Sequence, residues 1–282
     1  MKKQASFIFI FFFLLASSLL LLSSCTDKPG EGDEFAQLDW GTAALCIENP
    51  IAEGDSLCYH IEFKLDTLAG ESELAKSLSA VLCDSVIGLT GHATILQAMQ
   101  AFADSTEAEW KPELAERYAD MPEYRDILQY YYNVEGTEVK TPSNSPSMGR
   151  TKESLALEGE VGRGSVLSYQ VTTSCYLGGA HGSYVVDYYN FDIESGKLLN
   201  ISDVVPADKE ALALKAMQEQ LCKDWEAKDL ADLQEKTGIT MLGDLYLTNN
   251  FLLRGDSIEF LFNQYEIAPY AAGLISVTIK RP

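Results

Sequence analysis

Apolar residues recur along the chain with two periods, which predict a series of strands and helices. A two-residue period over 38–48 and 57–66 predicts two strands, the second with four apolar residues on one face: Tyr59, Ile61, Phe63 and Leu65. A period of three to four residues predicts helices over 71–86 and 93–106. Pro112 is expected to open a third, short helix, because proline is favoured in the first helical turn.

The two-residue period returns in the middle of the chain and predicts two strands joined by a glycine-rich loop. The expected core positions are Leu167, Tyr169 and Val171 before the loop and Val185, Tyr189, Phe191 and Ile193 after it. The loop itself contains Gly178, Gly179, His181 and Gly182. Its glycines permit positive φ angles and the close approach of another group. A turn is expected at Ser195-Gly196.

The last third predicts a long helix followed by strands. The helix begins near Pro206 and Gly238 is placed to end its second half; four core residues are expected: Leu214, Met217, Leu221 and Trp225. Strands are expected over 245–253, 258–262 and 274–279. The whole pattern predicts an α+β fold with a mainly antiparallel sheet and packed helices. A stretch rich in proline and serine over 137–152 favours a linker between an N-terminal α+β unit, 38–140, and a C-terminal domain, 150–282, with an internal loop as the alternative.

The N-terminus has the features of a lipoprotein signal peptide over residues 1–24. Lys2 and Lys3 precede an apolar run over 5–22, and Leu22-Ser23-Ser24-Cys25 resembles a lipobox. Cys25 is therefore the expected lipidation site, with an uncleaved membrane helix as the alternative. Residues 25–37 are polar and predict a tether. The acidic residues that follow Cys25 favour the outer membrane of the cell envelope, with the membrane contacted through the lipid anchor only.

The chain is acidic, with a formal net charge of −21. Loss of residues 1–24 would remove two lysines and no acidic residue, and would make the charge −23. This charge argues against nucleic acid and favours cationic partners. Five cysteines remain after Cys25, so at least one is unpaired; Cys46 with Cys58 is the most plausible disulfide, and five buried thiols are an equal alternative.

Two blocks of sequence carry a resemblance to a known family. The first is YLGGAHG with YNFDIESGKLLNISDVV, and the second is NNFLLRGDSIEFLFNQYEIAPYAAGLISVTI. Together they resemble the RsiV-like family, a domain of unknown function that forms the extracellular part of lysozyme-sensing anti-sigma factors. The resemblance covers 150–282 and implies lysozyme or peptidoglycan fragments as ligands. Because only a few residues precede the apolar run, too few for a sigma-factor-binding segment, release of a sigma factor is not expected.

Candidate chemistry is sparse in this sequence. Three histidines and no His-Glu-x-x-His string argue against a metal site, and no cofactor is expected. There is no Gly-x-Ser-x-Gly nucleophile motif and no phosphate-binding loop. A glycosidase needs only two suitably spaced carboxylates. Glu266, with its apolar neighbours in YEIAPY, is the best acid candidate, and Asp187 is a possible second carboxylate.

These observations favour a binding module over an enzyme. The predicted function is a lipid-anchored extracytoplasmic module that recognises a protein or cell-wall ligand, such as lysozyme, another cationic protein, or a peptidoglycan or other glycan. The alternative is a glycan-active hydrolase that uses Glu266 and Asp187. The candidate ligand-binding residues are Gly178, Gly179, His181, Gly182, Tyr265, Glu266 and Tyr270.

Overall fold

A computed structural model describes residues 38–50, 58–91, 94–120, 148–161, 164–176 and 182–282. The predicted signal peptide and tether lie outside these ranges. Of the helices in the described part of the chain, none has both the length and the apolar character needed to cross a bilayer.

A six-stranded sheet contains strands from both halves of the chain. Its members, in spatial order, are β1 (Trp40–Pro50), β2 (Cys58–Leu68), β3 (Met148–Val161), β4 (Gly164–Tyr176), β5 (Ser183–Asp192) and β6 (Leu198–Leu199). All neighbours are antiparallel except β2 and β3, which are parallel. β3 begins inside the predicted linker, so residues 148–152 are strand rather than linker. The division into two units stays a prediction.

Two helices follow β2. α1 (Glu73–Val81) begins at Ser72, whose Oγ accepts a hydrogen bond from the Ala75 N–H at 3.1 Å. A π-helical segment (Leu82–Ile87) extends it to Gly88, so the helix predicted over 71–86 is confirmed. α2 (Ile95–Asp120) contains Pro112 in its interior. The expectation that Pro112 opens a separate helix is therefore wrong; the helix continues through the proline, at the cost of one backbone donor.

The C-terminal part packs a second sheet against helices. The helical elements of this part are α3 (Ile201–Val204), a 3₁₀ turn (Ala207–Lys209), α4 (Glu210–Asp224) and α5 (Leu230–Thr237). They are followed by the strands β7 (Phe251–Arg254), β8 (Ser257–Phe262) and β9 (Ile275–Lys280). These three strands form an antiparallel sheet in sequence order. Its core includes Met217, Leu221, Phe251, Phe260 and Phe262. The predicted strand over 245–253 is confirmed only from Phe251 onward.

Burial along β4 shows that layers pack on both faces of the large sheet. Leu167, Tyr169 and Val171 are buried as predicted, and the Tyr169 hydroxyl donates to the Asp66 carbonyl oxygen at 2.6 Å. The intervening residues Val166 and Ser168 are buried as well, and Val166 belongs to the C-terminal core. Strand side chains alternate between faces, so β4 is covered on both sides.

Two predicted core residues are exposed in the structure, and one predicted disulfide cannot form. Trp225 is 46% exposed because it follows the last turn of α4, and Val185 is 39% exposed near the loop end of the β4–β5 hairpin. The register of β1 and β2 places Cys46 opposite Glu62 and Cys58 opposite Pro50. The two cysteines are thus four positions apart, roughly 13 Å along the strands. This separation is too large for a disulfide, so that expectation is wrong.

Candidate functional site

The predicted ligand-binding residues that the structure describes converge at one end of β5. These are Gly182, Tyr265, Glu266 and Tyr270. The predicted candidates Cys25, Gly178, Gly179 and His181 lie outside the described residues, and their roles stay predictions.

Two asparagine side chains hold the free edge of β5 against the second sheet. Asn250 accepts from the Tyr188 N–H at 2.8 Å and donates to the Val186 carbonyl at 2.8 Å. Asn263 accepts from the Val186 N–H at 2.9 Å and donates to the same carbonyl at 3.1 Å. Asn250 directly precedes β7 and Asn263 directly follows β8. We call this pair the asparagine clamp; its amides take the place of a neighbouring strand.

The turn after the clamp is organised by the carboxylate of Glu266. Glu266 Oε2 accepts from the Asn263 N–H at 2.7 Å, and the Glu266 N–H donates to the Asn263 carbonyl at 3.1 Å. Between them, Tyr265 has a φ of 66°. This left-handed conformation is uncommon for a bulky residue and costs roughly 1 kcal/mol or more. Despite that cost, the Tyr265 side chain is 56% exposed.

The second oxygen of Glu266 contacts Tyr246. The Tyr246 hydroxyl donates to Glu266 Oε1, and its ring meets Phe262 edge to face with centroids 5.5 Å apart. Burial and, after it, the hydrogen bond to the Glu266 carboxylate raise the pKa of Tyr246 to about 12. Tyr246 is still 44% exposed, so one part of the ring is anchored and another part faces solvent.

Tyr270 links this turn to the start of β5. Its hydroxyl donates to the Gly182 carbonyl at 3.0 Å, and its ring lies 5.6 Å from that of Tyr265 with an interplanar angle of 37°. Tyr246 is thus joined to the turn through Glu266, Tyr265 lies within that turn, and the ring of Tyr270 contacts the ring of Tyr265. We call these three side chains the tyrosine surface. It adjoins the residue that ends the glycine-rich loop.

Asp187 is placed differently from Glu266. It is two residues from Tyr189 on β5, and the pKa of Tyr189 is raised to about 12, first by burial and then by the Asp187 charge. The register sets Tyr189 opposite Tyr169, so Asp187 and Tyr189 share the β5 face that carries Tyr169. Glu266 instead binds Asn263 and Tyr246 beside the free edge of β5.

Replacing Glu266 by glutamine is expected to bring the pKa of Tyr246 down from about 12, but not to its ordinary value. The carboxylate charge is removed, whereas burial, the larger cause, remains. The measurement is an alkaline titration of the tyrosines by NMR. Glu235→Gln on the exposed surface of α5 is the control. An unchanged Tyr246 titration in the Glu266 variant would contradict the hydrogen bond.

For three residues of this arrangement, Tyr246, Asn250 and Asn263, no sequence pattern predicts a role in the site. Tyr246 falls in a run that has the apolar content of a strand. The only signal for the clamp is the presence of asparagines at the borders of β7 and β8, since asparagine is depleted within strands. Elsewhere in the described ranges, no three His, Cys, Asp or Glu side chains come together in a way that would hold a metal ion.

Comparisons with known proteins relate the C-terminal part of the chain to a family of unknown function. Residues 202–281 match the family described as "Protein of unknown function (DUF3298)". A stretch of 109 residues is 31% identical to peptidoglycan-N-acetylmuramic acid deacetylase PdaC of Bacillus subtilis (strain 168). That match covers 38% of this chain and 22% of the deacetylase.

Two crystal structures of DUF3298 proteins have the same general fold. A family member from Bacteroides fragilis NCTC 9343 has a TM-score of 0.65 at 20% identity, over 86% of this chain and 90% of that one. A family protein from Pseudomonas aeruginosa PAO1 has a TM-score of 0.51 at 18% identity, over 87% and 90%. The predicted α+β fold is confirmed. The finer resemblance to RsiV-like proteins is consistent with these matches and stays a prediction.

Proposed function

We propose that this chain, with its DUF3298 region, is a binding module of the cell envelope that recognises its ligand through the tyrosine surface. The proposal keeps Cys25 as the lipid anchor and residues 25–37 as the tether. The observation that carries it is Tyr265, a large aromatic side chain that is 56% exposed in a left-handed turn. Strained, exposed residues of this kind are concentrated at ligand-binding sites.

The surroundings of Tyr265 support a binding role. Met241 is 63% exposed and Leu242 is 52% exposed, and the Leu242 N–H contacts the Ile267 carbonyl at 3.5 Å. A segment with exposed apolar side chains therefore lies beside the turn that carries Tyr265. Groups of such residues on a protein surface are typical of interaction sites.

The candidate ligands are a cell-wall glycan and a cationic protein such as lysozyme. The relative from Bacillus subtilis is named for action on peptidoglycan, which supports a cell-wall ligand; the match spans too little of that protein to bring its deacetylase activity here. A net charge of −21 supports a cationic protein. Both classes would use the same exposed rings.

The alternative function, a glycan hydrolase using Glu266 and Asp187, has weaker support from the geometry. Both oxygens of Glu266 accept hydrogen bonds from the protein beside the free edge of β5, whereas Asp187 lies on the face of β5 that carries Tyr189. A hydrolase would lose turnover on Glu266→Gln. A binding module has no turnover to lose, so a glycan hydrolysis assay on the wild-type chain separates the two functions.

Replacing Tyr265 by asparagine is expected to weaken ligand binding by roughly tenfold or more without lowering stability. The ring is removed, and the affinity of a central aromatic contact is lost with it. Asparagine accepts the left-handed conformation better than tyrosine, so the free energy of unfolding should stay equal or rise by up to about 1 kcal/mol. The measurements are co-sedimentation of the full chain with peptidoglycan, titration with lysozyme at low and moderate salt, and thermal unfolding.

Trp225→Ala is the matched control, since Trp225 is an aromatic residue of similar exposure outside the tyrosine surface. It should leave both binding assays unchanged. Ligand binding that survives Tyr265→Asn at full strength would overturn the assignment of this surface. Lysozyme binding that disappears at moderate salt would indicate charge attraction alone.

A further inference from the structure

We propose, resting on the binding function above, that the ligand of the tyrosine surface is a glycan of amino sugars that carry free, protonated amines. Two properties of the surface point to this class. One is the way its rings are fixed, and the other is the charge of the segments that build it.

The ring orientations are fixed from within the protein. The Tyr246 hydroxyl donates to Glu266, and the Tyr270 hydroxyl donates to the Gly182 carbonyl. Because these two hydroxyl hydrogens are donated within the protein, a ligand would contact mainly the faces and edges of the two rings. Faces held in place before binding lose little conformational freedom on association. The C–H faces of sugar rings match such surfaces, which amphipathic tyrosines provide while their polar ends stay hydrogen-bonded.

The three chain segments that build this surface contain charged side chains of one sign only. The surface is built by segments 182–186, 241–248 and 263–270, which contain Asp244 and Glu266 but no lysine or arginine. Asp244 is exposed. Each carboxylate oxygen has more than one lone pair, so Glu266 retains acceptor capacity beside its two hydrogen bonds. An ammonium group would gain from both carboxylates and from the ring faces, whereas an anionic glycan would be repelled.

A protein partner fits these observations less well. A stable protein interface covers about 800 Å² on each side and includes about ten direct hydrogen bonds. Here two of the three tyrosine hydroxyls have given their hydrogens to partners inside the protein. A chain of sugars needs only a few ring contacts and a small number of charge contacts, which is what the tyrosine surface supplies.

The test compares two oligosaccharides that differ only in their amines. The full chain is titrated with a glucosamine hexamer and with the N-acetylglucosamine hexamer at mildly acidic pH, where the free amines are protonated. We expect the glucosamine hexamer to bind at least about fivefold more tightly, because both carboxylates of the surface can contact its protonated amines. Tyr265→Asn should weaken binding of this hexamer roughly tenfold. Asp244→Asn should instead reduce the preference for it by about two- to fivefold and leave binding of the acetylated hexamer unchanged.

Two control variants make the same kinds of chemical change at positions outside the tyrosine surface. Trp225→Ala removes an exposed ring, and Glu235→Gln removes an exposed carboxylate on α5; neither should alter affinity or preference. Equal binding of both hexamers would overturn the proposed amine recognition. If lysozyme bound in a Tyr265-dependent manner and neither hexamer bound, the proposal of a glycan ligand would be overturned, whereas the proposed binding function would be supported. No binding of hexamers, peptidoglycan or lysozyme would overturn both proposals.

Discussion

Replacing Gly196 by alanine is expected to lower the free energy of unfolding by about 3–5 kcal/mol. Gly196 lies in the turn between β5 and β6 and has a φ of 71°. A Cβ at this position would lie 2.5 Å from the Leu74 backbone nitrogen and 2.6 Å from the Glu73 carbonyl oxygen. These atoms belong to the first turn of α1 and cannot move without displacing the helix. The measurement is equilibrium unfolding by denaturant.

Gly255→Ala is the matched control for this prediction. Gly255 also has a positive φ, 57°, but nothing lies within 4 Å of the position its Cβ would occupy. This variant should therefore show only the conformational cost of a left-handed alanine, about 1–2 kcal/mol. If both variants were destabilised equally, the close approach of the turn to α1 would be contradicted.

Replacing Asn190 by alanine is expected to destabilise the protein by about 2–5 kcal/mol. Asn190 is 1% exposed; its Oδ1 accepts from the Ser168 hydroxyl at 2.6 Å and its amide donates to the Phe251 carbonyl at 2.8 Å. It therefore joins β4, β5 and β7 by side-chain hydrogen bonds. Alanine leaves the hydroxyl of Ser168, itself fully buried, without this partner and creates a cavity.

A double-mutant cycle with Ser168→Ala isolates the buried hydrogen bond. The double variant should be more stable than the sum of the single losses predicts, because no hydroxyl is then left in the core without its Asn190 partner. Asn249→Ala is the control, since Asn249 is exposed and accepts one hydrogen bond from the Ile201 N–H at 2.9 Å. Its loss should cost about 1 kcal/mol. Strict additivity of the Asn190 and Ser168 changes would argue against the bond.

The local elements of the fold follow from the sequence because their signals are local. Alternation places Ile61, Phe63 and Leu65 in the core, where each is at most 1% exposed. The turn at Ser195-Gly196 and the end of α5 at Gly238 depend on positive φ angles that glycine favours. In each of these cases a few neighbouring residues determine the outcome, so the pattern alone is enough to predict it.

The parts that could not be predicted depend on residues far apart in the chain. No local pattern indicates that β3 lies parallel to β2, or that amides of Asn250 and Asn263 satisfy the edge of β5. The candidate site shows the same division. Glu266 and Tyr270 stand in one short sequence block that predicts a site, but their partners Tyr246 and Gly182 lie 20 and 88 residues away.

The parallel pairing of β2 with β3 also has a consequence for the order in which the chain acquires its structure. Residues 69–147 lie between the two strands, so the β1–β2 hairpin is complete long before β3 has been synthesised. Pairings across such sequence distances form slowly, because the entropy of closing the intervening loop must be overcome first. Until then, the inner edge of β2 has unpaired backbone groups. This edge is where a nascent chain would be most exposed to aggregation and where a holding chaperone would act.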